Sequence, residues 1–175
     1  MRNVSTDYVP VPIGPVVSDE SLGKLTMWCG PAVISSFTGS SYQAVATWLA
    51  HGHPVPRSVS RRGYASPKGV RATSTGQVQA ALAQCGLSSW RVKKYEPGER
   101  PTLAAWLRNR TAHTRSGSFI VQVGYHWVAV KGRKMVDNHT KEPVFIRKAP
   151  HRRARVHQVL AVVKGKGCRA KPILK

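Results

Sequence analysis

Apolar residues recur at helical spacing as far as Leu107, and short β-prone runs punctuated by glycine follow from Phe119 onward. That change of period restricts the fold to helices followed by an antiparallel sheet, an α+β layout in which the helices pack on the sheet. In the first helix Val33, Ile34 and Phe37 share a stripe, Pro31 suits the first turn and Gly39 the stop. Ser40 with Gln43 reads as a capping box for a second helix carrying Tyr42, Val45, Trp48 and Leu49 and ending at Gly52. Ser74 with Gln77 opens a third, whose stripe of Val78, Ala81, Leu82 and Cys85 makes Cys85 a core residue rather than a catalyst. Thr102 caps a helix bearing Leu103, Trp106 and Leu107, after a short strand around Trp90 and Val92.

Phe119 to Val123, His126 to Lys131, Lys134 to Asp137 and Val156 to Val163 read as strands. Gly132-Arg133 fits a two-residue type II′ hairpin turn, and this sets the register. Lys131 then opposes Lys134, Val130 opposes Met135, Ala129 opposes Val136, and Val128 opposes Asp137. Alternation puts His126, Val128 and Asp137 on one face, with Asp137 diagonal to His126 and His139 directly opposite it. Asn138 points to the other face beside Trp127, and a three-residue turn would exchange the roles of Asp137 and Asn138.

Trp28-Cys29-Gly30-Pro31 stands at the mouth of the first helix. A thiol there is helped to ionise by the helix N-terminus, and a histidine beside it lowers its pKa further. His126 is the candidate base, able to take the thiol's proton and return it to a leaving amine. A carboxylate on its second ring nitrogen fixes the tautomer and aims the ring.

Cys29 on a helix, followed by His126-Trp127-Val128-Ala129-Val130 and Asp137-Asn138 on a hairpin, resembles the papain-like cysteine peptidases. Within that group the chain is similar to compact bacteriocin-processing-peptidase-like domains, including those encoded by bacteriophages. The resemblance covers roughly residues 25 to 163. It implies a cysteine helix packed on the sheet, with Cys29 as nucleophile, His126 as general base and acid, and Asp137, or alternatively Asn138, as orienting residue. It also implies a peptide or protein substrate and no cofactor. The family's usual glutamine upstream of the cysteine is absent from Ser21 to Trp28. The oxyanion donors then fall to the Cys29 backbone N–H, with Thr26 or Ser21 as a second.

Composition adds a second theme. Lys and Arg number 28 against 7 Asp and Glu, a formal net charge of +21. Such a field attracts polyanions. Arg57, Arg61, Arg62, Lys68 and Arg71 occupy a segment from His53 to Thr73 that reads as a surface loop, and Arg147, Lys148, Arg152, Arg153 and Arg155 form a second group. These residues are the expected contacts for nucleic acid or another polyanion. The alternative reading of the whole chain is a catalytically weak or inactive papain-fold protein of a virus particle, docking on DNA, an acidic protein or other virion proteins.

Residues 1–24 read as an extended arm that packs over the domain or reaches a partner, and residues 164–175 as a basic tail. No apolar run is long enough to span a bilayer. The start lacks the unbroken apolar stretch of a secretory signal, so a cytoplasmic or virion location is expected. Three widely spaced cysteines argue against a disulfide framework. His51-Gly52-His53 lacks further ligands at zinc spacing, so no metal is assigned.

Overall fold

A computed structural model describes residues 9–17, 28–51 and 73–165 of the 175-residue chain. Five helices are present among them: α1 (Cys29–Thr38), α2 (Tyr42–His51), α3 (Thr75–Gln84), α4 (Leu103–Arg108) and α5 (Ala112–Ser116). Six strands accompany them: β1 (Leu87–Lys94), β2 (Ser118–Val123), β3 (His126–Lys131), β4 (Lys134–Val136), β5 (Val144–Phe145) and β6 (Val156–Lys164). They form one sheet in the order β1-β6-β2-β3-β4-β5, with every pairing antiparallel. The α+β layout of N-terminal helices and an antiparallel sheet is the one the change of period predicts, with β1, the short strand expected around Trp90 and Val92, set between α3 and α4.

The two faces of the sheet are covered by different elements. Trp127 and Ala129 of β3, Ile120 of β2 and Leu160 and Val162 of β6 share a core with α1, α2 and α3. Val128, Val130, Val121 and Val159 face the opposite way, onto Leu103 and Leu107 of α4. Since β6 lies between β1 and β2 and is covered on both faces, its Val159–Val163 segment is continuously apolar rather than alternating.

The α1 helix contains no charged residue, and every position from Gly30 to Phe37 is buried. A helix apolar on all sides has to be a central one. Its two serines are satisfied locally: Ser35 donates to the Ser40 carbonyl at 2.7 Å and Ser36 to the Val33 carbonyl at 2.8 Å. Gly39 closes the helix in the left-handed conformation (φ 69°), its N–H donating to the Ser35 carbonyl.

Residues 9–17 pack over the domain. Val11 and Val16 are buried in the α1 core, Gly14 N–H donates to the Ser36 carbonyl, and Pro10 bridges Val163 of β6. The capping box at Ser74 and Gln77 forms in full. The cap of α2 shifts by one residue from Ser40 to Ser41, whose hydroxyl accepts from Ala44 N–H at 3.2 Å. Ser40 is buried instead, its carbonyl engaged by Ser35. Helix α5 and the two-residue β5 are additions to the sequence reading, because neither has enough apolar residues to show a period. None of the described helices is long and apolar enough to cross a membrane.

Candidate active site

The β3–β4 hairpin turns on Gly132 (φ 56°) and Arg133, and its ladder pairs Lys131 with Lys134, Val130 with Met135 and Ala129 with Val136. Only the first central residue has positive φ, as a type II′ turn requires. The ladder stops at Val136, and Asp137 follows directly with its carboxylate fully buried. The His126 ring, at the start of β3, donates from Nε2 to Asp137 Oδ2 at 2.9 Å. Asp137 Oδ1 accepts two backbone N–H groups, from His139 at 2.9 Å and Thr140 at 2.8 Å. Asn138 lies half-buried in the turn that follows. The side-chain contact to His126 is thus made by Asp137, the residue the hairpin parity selects.

Cys29 is the first residue of α1, and the His126 ring lies close enough to its thiol to favour the ionised form. With Nε2 engaged by Asp137, Nδ1 is the ring nitrogen available to the thiol. Because Cys29 and His126 each begin an element, they meet at the rim of the sheet. The helix end is anchored by α2, where the buried Tyr42 hydroxyl accepts from Trp28 N–H at 2.6 Å. Trp127, next to His126, is held by its indole N–H donating to the Thr73 carbonyl at 2.9 Å.

Thr73 also explains Gly30. A Cβ at that position would overlap the Thr73 hydroxyl and its methyl group, so a side chain after Cys29 is sterically excluded. Gly30→Ala is expected to cost about 1–3 kcal/mol through overpacking, as a lower urea midpoint at unchanged slope. A midpoint equal to wild type would show that Thr73 yields freely.

Electrostatics couple the three side chains. Burial pushes the Cys29 thiol up, but the hydrogen bond and positive charge of His126, with the backbone N–H groups of Trp127 and Gly30, outweigh it and leave the thiol below its ordinary value. Burial pushes His126 down, but the bonds to Asp137 and Cys29 and their negative charges raise it to about 9. Asp137 is pushed up by burial and, more strongly, held down by His126 and the two backbone donors. The shifts have the signs of a thiolate–imidazolium pair steadied by a carboxylate. Burial pushes the half-buried Cys85 thiol up. No protein family model, curated protein or solved structure matches this chain.

Ser21 and Thr26, and Arg57, Arg61, Arg62, Lys68 and Arg71, lie outside the described residues. Arg147, Lys148, Arg152, Arg153 and Arg155 are all exposed on the stretch between β5 and β6. Two of them are tied to backbone carbonyls, Arg152 to Arg147 and Arg155 to Arg100, each at 3.0 Å.

His139 is not paired across from His126, since the ladder ends too early. It sits in the turn after Asp137 with its ring centroid 5.4 Å from that of His126. His151 was not singled out by sequence reasoning, yet its ring lies closer still, at 4.3 Å. Its membership of an arginine-rich stretch read as a polyanion contact concealed it.

Proposed function

We propose that this chain is a papain-like cysteine peptidase or related amide hydrolase, with Cys29 as nucleophile, His126 as base and acid, and Asp137 as orienting residue. The observation that carries the reading is the His126 imidazole, hydrogen-bonded to the buried Asp137 carboxylate and beside the Cys29 thiol, whose ionisation it favours. The thiolate attacks the amide carbonyl carbon, forming a C–S bond, and the carbonyl electrons move to oxygen. The Cys29 backbone N–H, at the start of α1, is the proposed donor to that oxyanion. Collapse expels the amine, which takes its proton from the His126 imidazolium and leaves a thioester. Water then attacks the thioester with His126 as base, releasing the carboxylic acid and restoring the thiol. Asp137 keeps Nε2 protonated throughout, so Nδ1 does the proton transfer.

An epoxysuccinyl peptide tests the assignment, because ring opening needs an activated thiolate with an adjacent acid. Mass spectrometry should place the adduct on Cys29 in wild type, with none in His126→Ala and none on Cys85. Equal labelling of Cys29 in the two proteins would reject the proposal.

A second reading, compatible with the first, rests on the exposed cations from Arg147 to Arg155 and the net charge of +21. This surface would dock on nucleic acid or an acidic protein, as in a virus particle. Counterion release makes such affinity fall steeply with salt. Duplex DNA binding by Cys29→Ala that does not change between 50 and 200 mM salt would remove it.

A further inference from the structure

Three histidines from three separate segments converge beside the proposed site. His126 begins β3, His139 sits in the turn after β4, and His151 lies on the stretch leading to β6. Their ring centroids are 4.3, 5.4 and 5.2 Å apart, and one nitrogen from each lies within 4.8 Å of the others. We propose that His126, His139 and His151 form a binding site for a divalent transition-metal ion of the zinc class, and that the bound ion switches off the Cys29 thiol.

Three features favour a ligand site over a chance stack of rings. Imidazole nitrogen is the donor that zinc-class ions prefer, and three such ligands with one open position is an established zinc arrangement. His151 Nε2 is buried and makes no hydrogen bond among the described residues, with Asp137 Oδ2 3.6 Å away. Asp137, buried and beside both His126 and His151, supplies the local negative charge that a cation needs in so basic a chain. A carboxylate next to a ligating histidine is also the usual supporting contact in such sites.

The fit requires a small closure. Metal–nitrogen bonds of about 2.0–2.1 Å in a tetrahedron set the donors about 3.4 Å apart. His139 is exposed in a turn, so its ring has room to supply the movement and leaves an entry path for the ion.

The effect on the thiol follows whichever nitrogen of His126 binds. An ion on Nδ1 takes the position the Cys29 thiol needs. An ion on Nε2 takes the place of the proton held toward Asp137, so the ring loses the contact that aims Nδ1 at Cys29. Metal binding and thiol activation thus exclude each other. The binding itself is independent of any peptidase activity, whereas the switching rests on the proposed role of His126.

Equilibrium dialysis against Zn²⁺ and alkylation of Cys29 with and without Zn²⁺ test the two halves on the full chain. Wild type should bind one equivalent. His139→Ala and His151→Phe, the latter preserving a ring in the stack, should each bind at least tenfold more weakly, while Cys29→Ala should bind as wild type does. Undiminished affinity in the two histidine variants, or binding lost only in Cys29→Ala, would overturn the site. Saturating Zn²⁺ should slow alkylation of wild-type Cys29 at least tenfold and leave His151→Phe unaffected at the same concentration. Stoichiometric histidine-dependent binding with unchanged alkylation would overturn the switch. A Cys29 whose metal-free alkylation is indifferent to His126→Ala would separately overturn the thiol reading on which the switch rests.

Discussion

His126→Ala is expected to move the alkylation midpoint of Cys29 upward, to or beyond the free-thiol value of about 8.5. Two influences that lower the thiol vanish together, the ring's hydrogen bond and its positive charge. What stays is burial, which opposes ionisation, and the N–H groups of Trp127 and Gly30, which favour it. For each unit that the midpoint rises beyond 7 the thiolate fraction at pH 7 falls about tenfold, while the more basic thiolate regains about threefold in nucleophilicity, a net loss of about threefold per unit. On the proposed mechanism amide hydrolysis suffers more, because the same imidazole protonates the leaving amine there, and a loss of about 10²–10⁴-fold is expected. Alkylation of intact protein followed from pH 5 to 10 by mass spectrometry gives both midpoints. Superimposable profiles for wild type and His126→Ala would show that the thiol is activated by the helix end alone.

How much of this site was legible in the sequence depended on whether a residue's place is set locally. Helix α1 was legible because it has no charged residue and ends in Gly39, and both facts act over a single turn. The β3–β4 hairpin was legible because Gly132 selects a two-residue turn, and once the turn length is known the face of every residue follows. That parity distinguishes Asp137 from Asn138, and the 2.9 Å contact to His126 falls on Asp137. Ser41, rather than Ser40, capping α2 was not legible, since Ser35 competes for Ser40 from the preceding helix. His151 was the largest omission. Nothing near it in sequence indicates a site; it reaches His126 only because the chain returns past the start of β3 before entering β6. Tertiary juxtapositions of this kind leave no periodic signal.

Asp137→Ala is expected to lower stability at pH 7 by about 1–3 kcal/mol, since the half-buried His126 ring loses its charge-assisted hydrogen-bond partner. Two backbone N–H groups, of His139 and Thr140, lose their acceptor as well. Asp137→Asn keeps an oxygen for those donors but removes the charge, so a smaller loss is expected, and its diagnostic is the pH profile. The folded pKa of Asp137 is depressed, so its contribution is present above the ordinary carboxylate range and lost as pH falls through the folded value. The folded pKa of His126 is raised to about 9, so its contribution is complete below about 6.5 and lost as pH rises through about 9. Wild type should therefore be most stable between the two limbs. In Asp137→Asn the acid limb attributable to this carboxylate disappears, and the alkaline limb moves to lower pH as His126 loses its strongest support. Urea unfolding from pH 3 to 10 measures both. A profile for Asp137→Asn that runs parallel to wild type throughout would mean that the contact at 2.9 Å carries no coupling, and with it the orienting role of Asp137 would fall.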